Sequence, residues 1–217
     1  MSGYLKELDK WVSLNGNGKY DGDEEYTAHH MGTNPIAGIQ QNRNEISDFI
    51  EVLSKKNYKS ILEIGLGYYG STHFLWRMLF EKVITIEINN DRIQQFGLNT
   101  MKYYGDWILD DGKSYFINGD SNSPNTINNL YNLVDEIDVL FIDAMHTYPS
   151  VLSDWIIYSK RVRKGGMIVF HDICKVYPFK GVQEFVKDLE QGKIDGKARN
   201  INKIIHTNTQ GIGWYEK

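Results

Sequence analysis

Cysteine is almost missing from this chain. Cys174 stands alone, which excludes an internal disulfide framework and fits a reducing compartment. Long apolar runs are missing too: no stretch approaches the roughly 20 apolar residues that span a bilayer. Met1 to Lys10 is polar and charged, with no apolar signal segment. Nor is there an excess of positive charge. Lys and Arg total 24 against 28 Asp and Glu, a formal net charge of -4, and no basic stripe recommends nucleic acid as a partner. Internal repeats and low-complexity tracts are absent. The expectation is a soluble, cytoplasmic protein, 41% hydrophobic and 24% charged. Its 217 residues suit one α/β domain and leave little room for a second. The 14 Tyr and 5 Trp point to amphipathic surfaces around a pocket or an interface.

Along the chain, residues 1–43 read as a polar N-terminal extension or lid, with a short helix over Tyr4 to Leu14. From residue 44 to 217 a single domain is expected. Asn44 to Lys55 carries Ile46, Phe49, Ile50 and Leu53 at helical spacing. Then strands and helices alternate. The predicted strands are Ser60 to Ile64, Val83 to Ile88, Ser114 to Asn118, Val139 to Ile142 and Met167 to Phe170. Between and after them, helices are predicted over Ser71 to Phe80, Asp91 to Tyr103, Pro124 to Leu133, Pro149 to Arg163 and Gly181 to Gln191. The second, fourth and fifth strands are continuous apolar runs, as in parallel strands covered on both faces. Helix-length crossovers imply an open, doubly wound, Rossmann-like α/β sheet. Lys203 to Thr207 and Gly213 to Glu216 are too close for a helix between them. They predict an antiparallel hairpin at one edge of a mainly parallel seven-stranded sheet.

The chemistry gathers where the strands end. Gly65, Gly67 and Gly70 form a G-x-G-x-x-G between the first strand and a helix, the setting in which such a loop binds a nucleotide-like ligand. Glycine allows close main-chain approach, and the following helix N-terminus welcomes a carboxylate or phosphate. Ligands in such sheets lie beyond the carboxyl ends of the strands. There the sequence has Glu87; Gly119, Asp120 and Ser121; Asp143, Ala144, Met145 and His146; and His171 with Asp172. Glu87, 22 residues beyond Gly65, suits a ribose diol; the plainer reading is a solvated strand end. Asp120 suits an adenine amino group or a helix N-cap.

Glu63-x-Gly65-x-Gly67, Glu87, Gly119-Asp120 and Lys164-Gly165-Gly166 resemble class I S-adenosylmethionine-dependent methyltransferases. The resemblance covers about residues 40–217. The chain is most similar to small-molecule O-methyltransferases of the cephalosporin-hydroxylase-like and macrolide-sugar group, through Gly70-Ser71, Gln40-Gln41, Ile142-Asp143 with His146-x-Tyr148, and His171-Asp172. Tyr68-Tyr69 are bulkier than that loop usually carries, and Lys164 stands where proline is common. The resemblance implies S-adenosylmethionine as cofactor. Glu63, Gly65, Gly67, Gly70, Ser71 and Asp143 would line its methionine end, Glu87 its ribose, and Asp120 with Ser121 its adenine. It implies O-methylation of a small molecule such as a sugar or hydroxylated metabolite. The alternatives are a nicotinamide-dependent oxidoreductase and a non-catalytic nucleotide-binding module.

Methyl transfer to a hydroxyl needs alignment and removal of a proton. One route uses a divalent metal, Mg²⁺, Mn²⁺ or Ca²⁺, held by Asp143 and Asp172 with His171 as a third ligand. The imidazole would suit a softer ion better. The other route is metal-free, with His146 or His171 as base and Asp143 beside them. His29-His30, Asp21 to Glu25 and Asp110-Asp111 read as surface groups, Trp76 as core, and Cys174 as a bystander. Trp107 is the candidate for a substrate or homo-oligomer contact.

Overall fold

A computed structural model describes residues 2–16, 18–20, 38–109, 111–174, 180–207 and 209–217. His29-His30, the acids at Asp21 to Glu25, and Asp110 lie outside the described residues. Seven strands form one sheet: β1 (Ser60–Ile64), β2 (Lys82–Glu87), β3 (Ser114–Asn118), β4 (Ile137–Ile142), β5 (Val162–His171), β6 (Asn202–Ile204) and β7 (Ile212–Glu216). Their spatial order is β3-β2-β1-β4-β5-β7-β6. The first five are parallel, while β7 runs antiparallel to β5 and to the edge strand β6. The expected doubly wound sheet and its terminal hairpin are both present.

Among the described residues seven helices flank the sheet: α1 (Ser2–Leu14), α2 (Arg43–Ser54), α3 (Ser71–Leu79), α4 (Asn90–Tyr104), α5 (Pro124–Leu133), α6 (Tyr148–Tyr158) and α7 (Gly181–Glu190). Side-chain alternation along the strands splits the interior into two cores. Ile61, Val83, Val139, Phe141, Met167 and Val169 face α1 to α4, whose Trp11, Phe49, Phe74, Trp76 and Phe96 fill that side. Leu62, Ile84, Leu140, Ile168 and Phe170 face Leu130, Trp155 and Phe185 of α5 to α7. Both faces are covered, which is why these strands read as unbroken apolar runs. No described helix is long and apolar enough to cross a membrane.

Three sequence expectations shift. The helix predicted through Arg163 stops at Tyr158, followed by a 3-10 turn, and β5 begins at Val162, before Gly165-Gly166 rather than after them. Gly166 lies so close to β4 that a Cβ there would sit 2.5 Å from the Asp138 carbonyl oxygen. Asp111 is not a solvated loop acid. Arg77 grips it with two hydrogen bonds of 3.0 and 2.9 Å, and its acidity is increased by that guanidinium and by the Ser114 N–H against the opposing effect of burial. Finally, α1 belongs to the first core. Trp11 is buried, stacks on Phe74 at 4.2 Å and donates to the Ser71 hydroxyl, so the described part of residues 1–43 packs together with the sheet.

Candidate functional site

The site forms at the carboxyl ends of β1, β2, β4 and β5. β1 runs into the glycine loop, whose path is fixed by main-chain proximity. Gly65 has φ +97°, and a Cβ on it would lie 2.3 Å from the carbonyl oxygen of Asp143. Asp143 N–H in turn donates to Ile64. The glycine loop and the β4 end are thereby one rim. Gly67, at φ +69°, approaches Gln40, whose side-chain oxygen accepts from the Tyr68 N–H at 3.3 Å. Gly70 caps α3 in the left-handed region, and no side chain caps that helix. Its first N–H groups therefore give the rim a positive end.

Glu87 ends β2 with each carboxylate oxygen engaged. Oε2 accepts the Leu66 N–H and Oε1 the Asn89 N–H, both at 2.9 Å, and Arg92 lies 3.6 Å from Oε2. It is a buried anchor for the glycine loop, not a solvated strand end. Asp120 is exposed and accepts the Asn122 N–H. The α5 N-cap is Ser123, so Asp120 is not spent on capping. Ser121 donates to Asp154 at 2.6 Å, whose carboxyl burial raises to about 6.

Two residues expected to line the cofactor are turned elsewhere. Glu63 is wholly buried, accepting from Trp76 Nε1 at 2.8 Å and the Thr85 hydroxyl at 2.7 Å. Strand alternation sends it into the first core, beneath α3. The Ser71 hydroxyl donates to the Gly38 carbonyl and accepts from Trp11, so it ties α1 and residues 38–41 to α3. Trp76 is core, as expected. Trp107, 41% exposed, lays its indole against Gly97.

Burial lifts the Glu63 carboxyl from 4.5 to about 7, against three lowering hydrogen bonds. The folded state thus holds this proton more tightly than the unfolded chain. The stability it contributes is full below 4.5 and falls as pH rises through about 7, by up to about 3 kcal/mol over that window. Chemical denaturation at pH 5 and pH 8 should show the decline, and Glu63→Gln should flatten it.

Beyond β4 and β5 lies the polar cluster. Asp143, His146 and Asp172 bring one ligand atom each within 4.8 Å of one another. His146 Nε2 is 2.8 Å from Asp172 Oδ2 and 3.8 Å from Asp143 Oδ1. His146, folded back from the β4–α6 connection, joins the two acids of the expected metal set, and the His171 assigned to that set also contacts both. Asp172 leaves β5 at φ +60°, the one non-glycine among the described residues with positive φ, and this turn aims its carboxylate back at the cluster. His171 lies behind. Its Nδ1 is 3.2 Å from both Asp143 Oδ1 and Asp172 Oδ2.

The two carboxylates favour the charged form of both histidines in this metal-free arrangement. Burial lowers His146, but Asp143 and Asp172 outweigh it and hold the group at about 10. His171 is likewise raised well above its ordinary value, burial again opposed and overcome by the two carboxylates. Asp143 is correspondingly lowered; the positive imidazole of His171 offsets its burial. Cys174 is half-buried, its thiol pushed up by burial.

Sequence reading assigned no contact to Gln41, whose Nε2 donates to Asp143 Oδ2 at 2.8 Å, and missed Glu45 altogether. Its signal was present: Glu45 sits four residues before Phe49 and eight before Leu53, an acid on the apolar stripe of α2.

The rim can be set beside known proteins. A curated relative, Uncharacterized protein R132 of Acanthamoeba polyphaga mimivirus, is 42% identical over 67 residues, which span 28% of this chain and 29% of that protein. Among solved structures, the O-methyltransferase TomG from Streptomyces achromogenes, involved in tomaymycin synthesis and bound to SAM, is 14% identical. The match covers 97% of this chain and 89% of that one, with a TM-score of 0.62. An O-methyltransferase from Bacillus cereus in complex with SAH is 16% identical over 100% of this chain and 92% of its own, with a TM-score of 0.60. MycE of the mycinamycin biosynthetic pathway, in complex with Mg, SAH and mycinamycin VI, is 20% identical with a TM-score of 0.52; the match covers 79% of this chain and 48% of MycE. These likenesses show a shared fold. The family model described as a methyltransferase domain matches residues 62–173, from β1 through the polar cluster, and the chain belongs to that family.

Proposed function

We propose that this chain is an S-adenosylmethionine-dependent O-methyltransferase of a small hydroxylated molecule, assisted by a divalent metal. The observation that carries the reading is the contact of Gly65 with the Asp143 main chain. It sets a nucleotide-type glycine loop and a two-carboxylate, one-imidazole cluster side by side on one rim. The complexes of TomG with SAM and of MycE with Mg and SAH support the same assignment.

The residues fit the cofactor. The uncapped α3 N-terminus suits its carboxylate, Glu87 retains acceptor lone pairs for a ribose hydroxyl, and Asp120 offers an acceptor to an adenine amino group. When bound, the cofactor supplies an electrophilic methyl on a positive sulfur. The metal fits Asp143, His146 and Asp172, whose mixed oxygen and nitrogen donors suit Mn²⁺ better than the harder Mg²⁺ or Ca²⁺; bound there, it would lower the pKa of an acceptor hydroxyl. The chain's part is to orient and to manage protons. Gly65, Gly67 and Gly70 keep the rim bare, and Gln41 and His171 fix the Asp143 carboxylate by donating to it. His146 must release its proton to serve as a ligand, so metal affinity should rise with pH.

Calorimetry with S-adenosylhomocysteine, Mg²⁺ and NAD tests the reading: binding of the first two and not of the third is expected, whereas NAD binding alone would overturn it. Glu87→Ala should weaken S-adenosylhomocysteine binding by about 1–3 kcal/mol, since it removes both a ligand contact and the anchor of Leu66. Unchanged affinity would take Glu87 out of the site.

A further inference from the structure

α7 starts after the chain has left the polar cluster at Asp172, and it lies outside the residues matched by the family model. One face of it carries Gly181, Phe185 and Asp188, at the spacing that aligns residues along a helix. That face meets the start of α6. Asp188 accepts from the Tyr148 hydroxyl at 3.1 Å. The Phe185 ring packs edge-on to the Tyr148 ring, with centroids 5.8 Å apart.

At Gly181 the approach is main chain to main chain. A Cβ there would lie 2.2 Å from the Tyr148 nitrogen, 2.4 Å from the Thr147 carbonyl carbon and 2.6 Å from the His146 carbonyl oxygen. These atoms close the β4–α6 connection, which carries the His146 imidazole to Asp143 and Asp172. Ordinary contact begins at 3.4 Å, so a single methyl group would drive the two segments apart by about 1 Å. α7 is not the segment to yield, because Val182, Phe185, Val186 and Leu189 are buried in the second core. The connection is neither strand nor helix and gives way more easily.

We propose that α7 positions His146, with Gly181 as the positioning residue: its lack of a side chain lets the helix seat the 146–148 main chain at the depth where Nε2 stands 2.8 Å from Asp172. The ends of β4 and β5 supply the two acids, while the third donor is set in place by a helix that follows them. Metal sites tolerate errors of only about 0.2 Å in ligand distance, so a shift of about 1 Å removes His146 from the set. The inference rests on the metal-assisted reading for its consequence in solution, and on the contacts alone for the placement of His146.

Gly181→Ala in the full chain tests it. Calorimetry with Mn²⁺ alone should show affinity reduced about 10- to 100-fold, the range for losing the support of a metal ligand, with S-adenosylhomocysteine affinity unchanged. A crystal structure of the variant should place His146 Nε2 out of hydrogen-bond reach of Asp172. In a His146→Ala background, Gly181→Ala should cost no further Mn²⁺ affinity, because the residue through which it acts is gone. Leu189→Ala weakens the far end of α7; it should lower the melting temperature and leave Mn²⁺ affinity at the wild-type value. Tyr148→Phe adds no atom and releases Asp188, so it should weaken Mn²⁺ binding severalfold. Should Gly181→Ala not fold, Tyr148→Phe decides in its place, and undiminished affinity there overturns the proposal. Wild-type Mn²⁺ affinity in Gly181→Ala with the contact to Asp172 intact would overturn it directly, as would equal losses in Gly181→Ala and Leu189→Ala. A wild-type chain that binds no Mn²⁺ would count against the metal reading alone, while the distance from His146 to Asp172 in Gly181→Ala still decides the role of Gly181.

Discussion

Gly65→Val should destroy the site and much of the stability together. The position carries φ +97°, and the first atom added there meets the Asp143 carbonyl oxygen at 2.3 Å and the Ala144 Cα at 3.0 Å. Both obstacles are backbone. They cannot move aside, because β1 and β4 are paired up to Ile64 and Ile142. Strain at such a φ costs about 1–3 kcal/mol, and the overlap adds to it, so a loss of at least about 3 kcal/mol is expected. Gly67→Val is the instructive contrast. At φ +69° its added carbon meets only the end of the flexible Gln40 side chain, at 2.8 Å. Its stability cost should be about 1–2 kcal/mol, while S-adenosylhomocysteine affinity is lost in both variants. Urea denaturation and calorimetry separate the two positions. A Gly65→Val protein as stable as wild type would mean that the loop does not hug β4 as described.

That contrast also marks what the sequence could and could not say. The strands were legible because burial on both faces writes itself as runs such as Val139 to Ile142, and the glycine loop because its spacing is local. The parallel, doubly wound arrangement followed from crossover length, while the order of the strands did not. The contents of the site were harder. Glu63 and Glu87 face the same side of the sheet, yet Glu63, one residue short of the end of β1, sits under Trp76 while Glu87, at the end of β2, meets the glycine loop. No spacing rule distinguishes them before the register of β1 against β2 is known. His146 and His171 could not be ranked as ligands, since their distances depend on how the β4–α6 connection folds back and on the left-handed turn at Asp172. Gln41 and Glu45 lie 102 and 166 residues from the groups they bond, Asp143 and Gly211, and such pairings are set by packing against the sheet, not by any local pattern.

Asp143→Asn should slow turnover about 10³-fold, within the range for removing a group that manages the reacting proton, and should abolish Mn²⁺ binding while sparing S-adenosylhomocysteine affinity. The reason is geometric as well as electrostatic. Each Asp143 oxygen faces a donor, Oδ2 from Gln41 at 2.8 Å and Oδ1 from His171 at 3.2 Å. An asparagine has one acceptor for two donors, so one buried donor is stranded whichever way the amide turns. Asp172→Asn is the gentler probe. One oxygen of Asp172 takes both His146, at 2.8 Å, and His171, at 3.2 Å, and asparagine tolerates its positive φ. The hydrogen-bond pattern can survive there and only the charge is lost. Both variants should lose metal affinity, but Asp143→Asn should disturb His171 more. The double variant should be little slower than Asp143→Asn, because the two carboxylates act as one unit. Strictly multiplying rate losses would mean that each acid acts alone, and a wild-type rate in Asp143→Asn would remove the cluster from the chemistry.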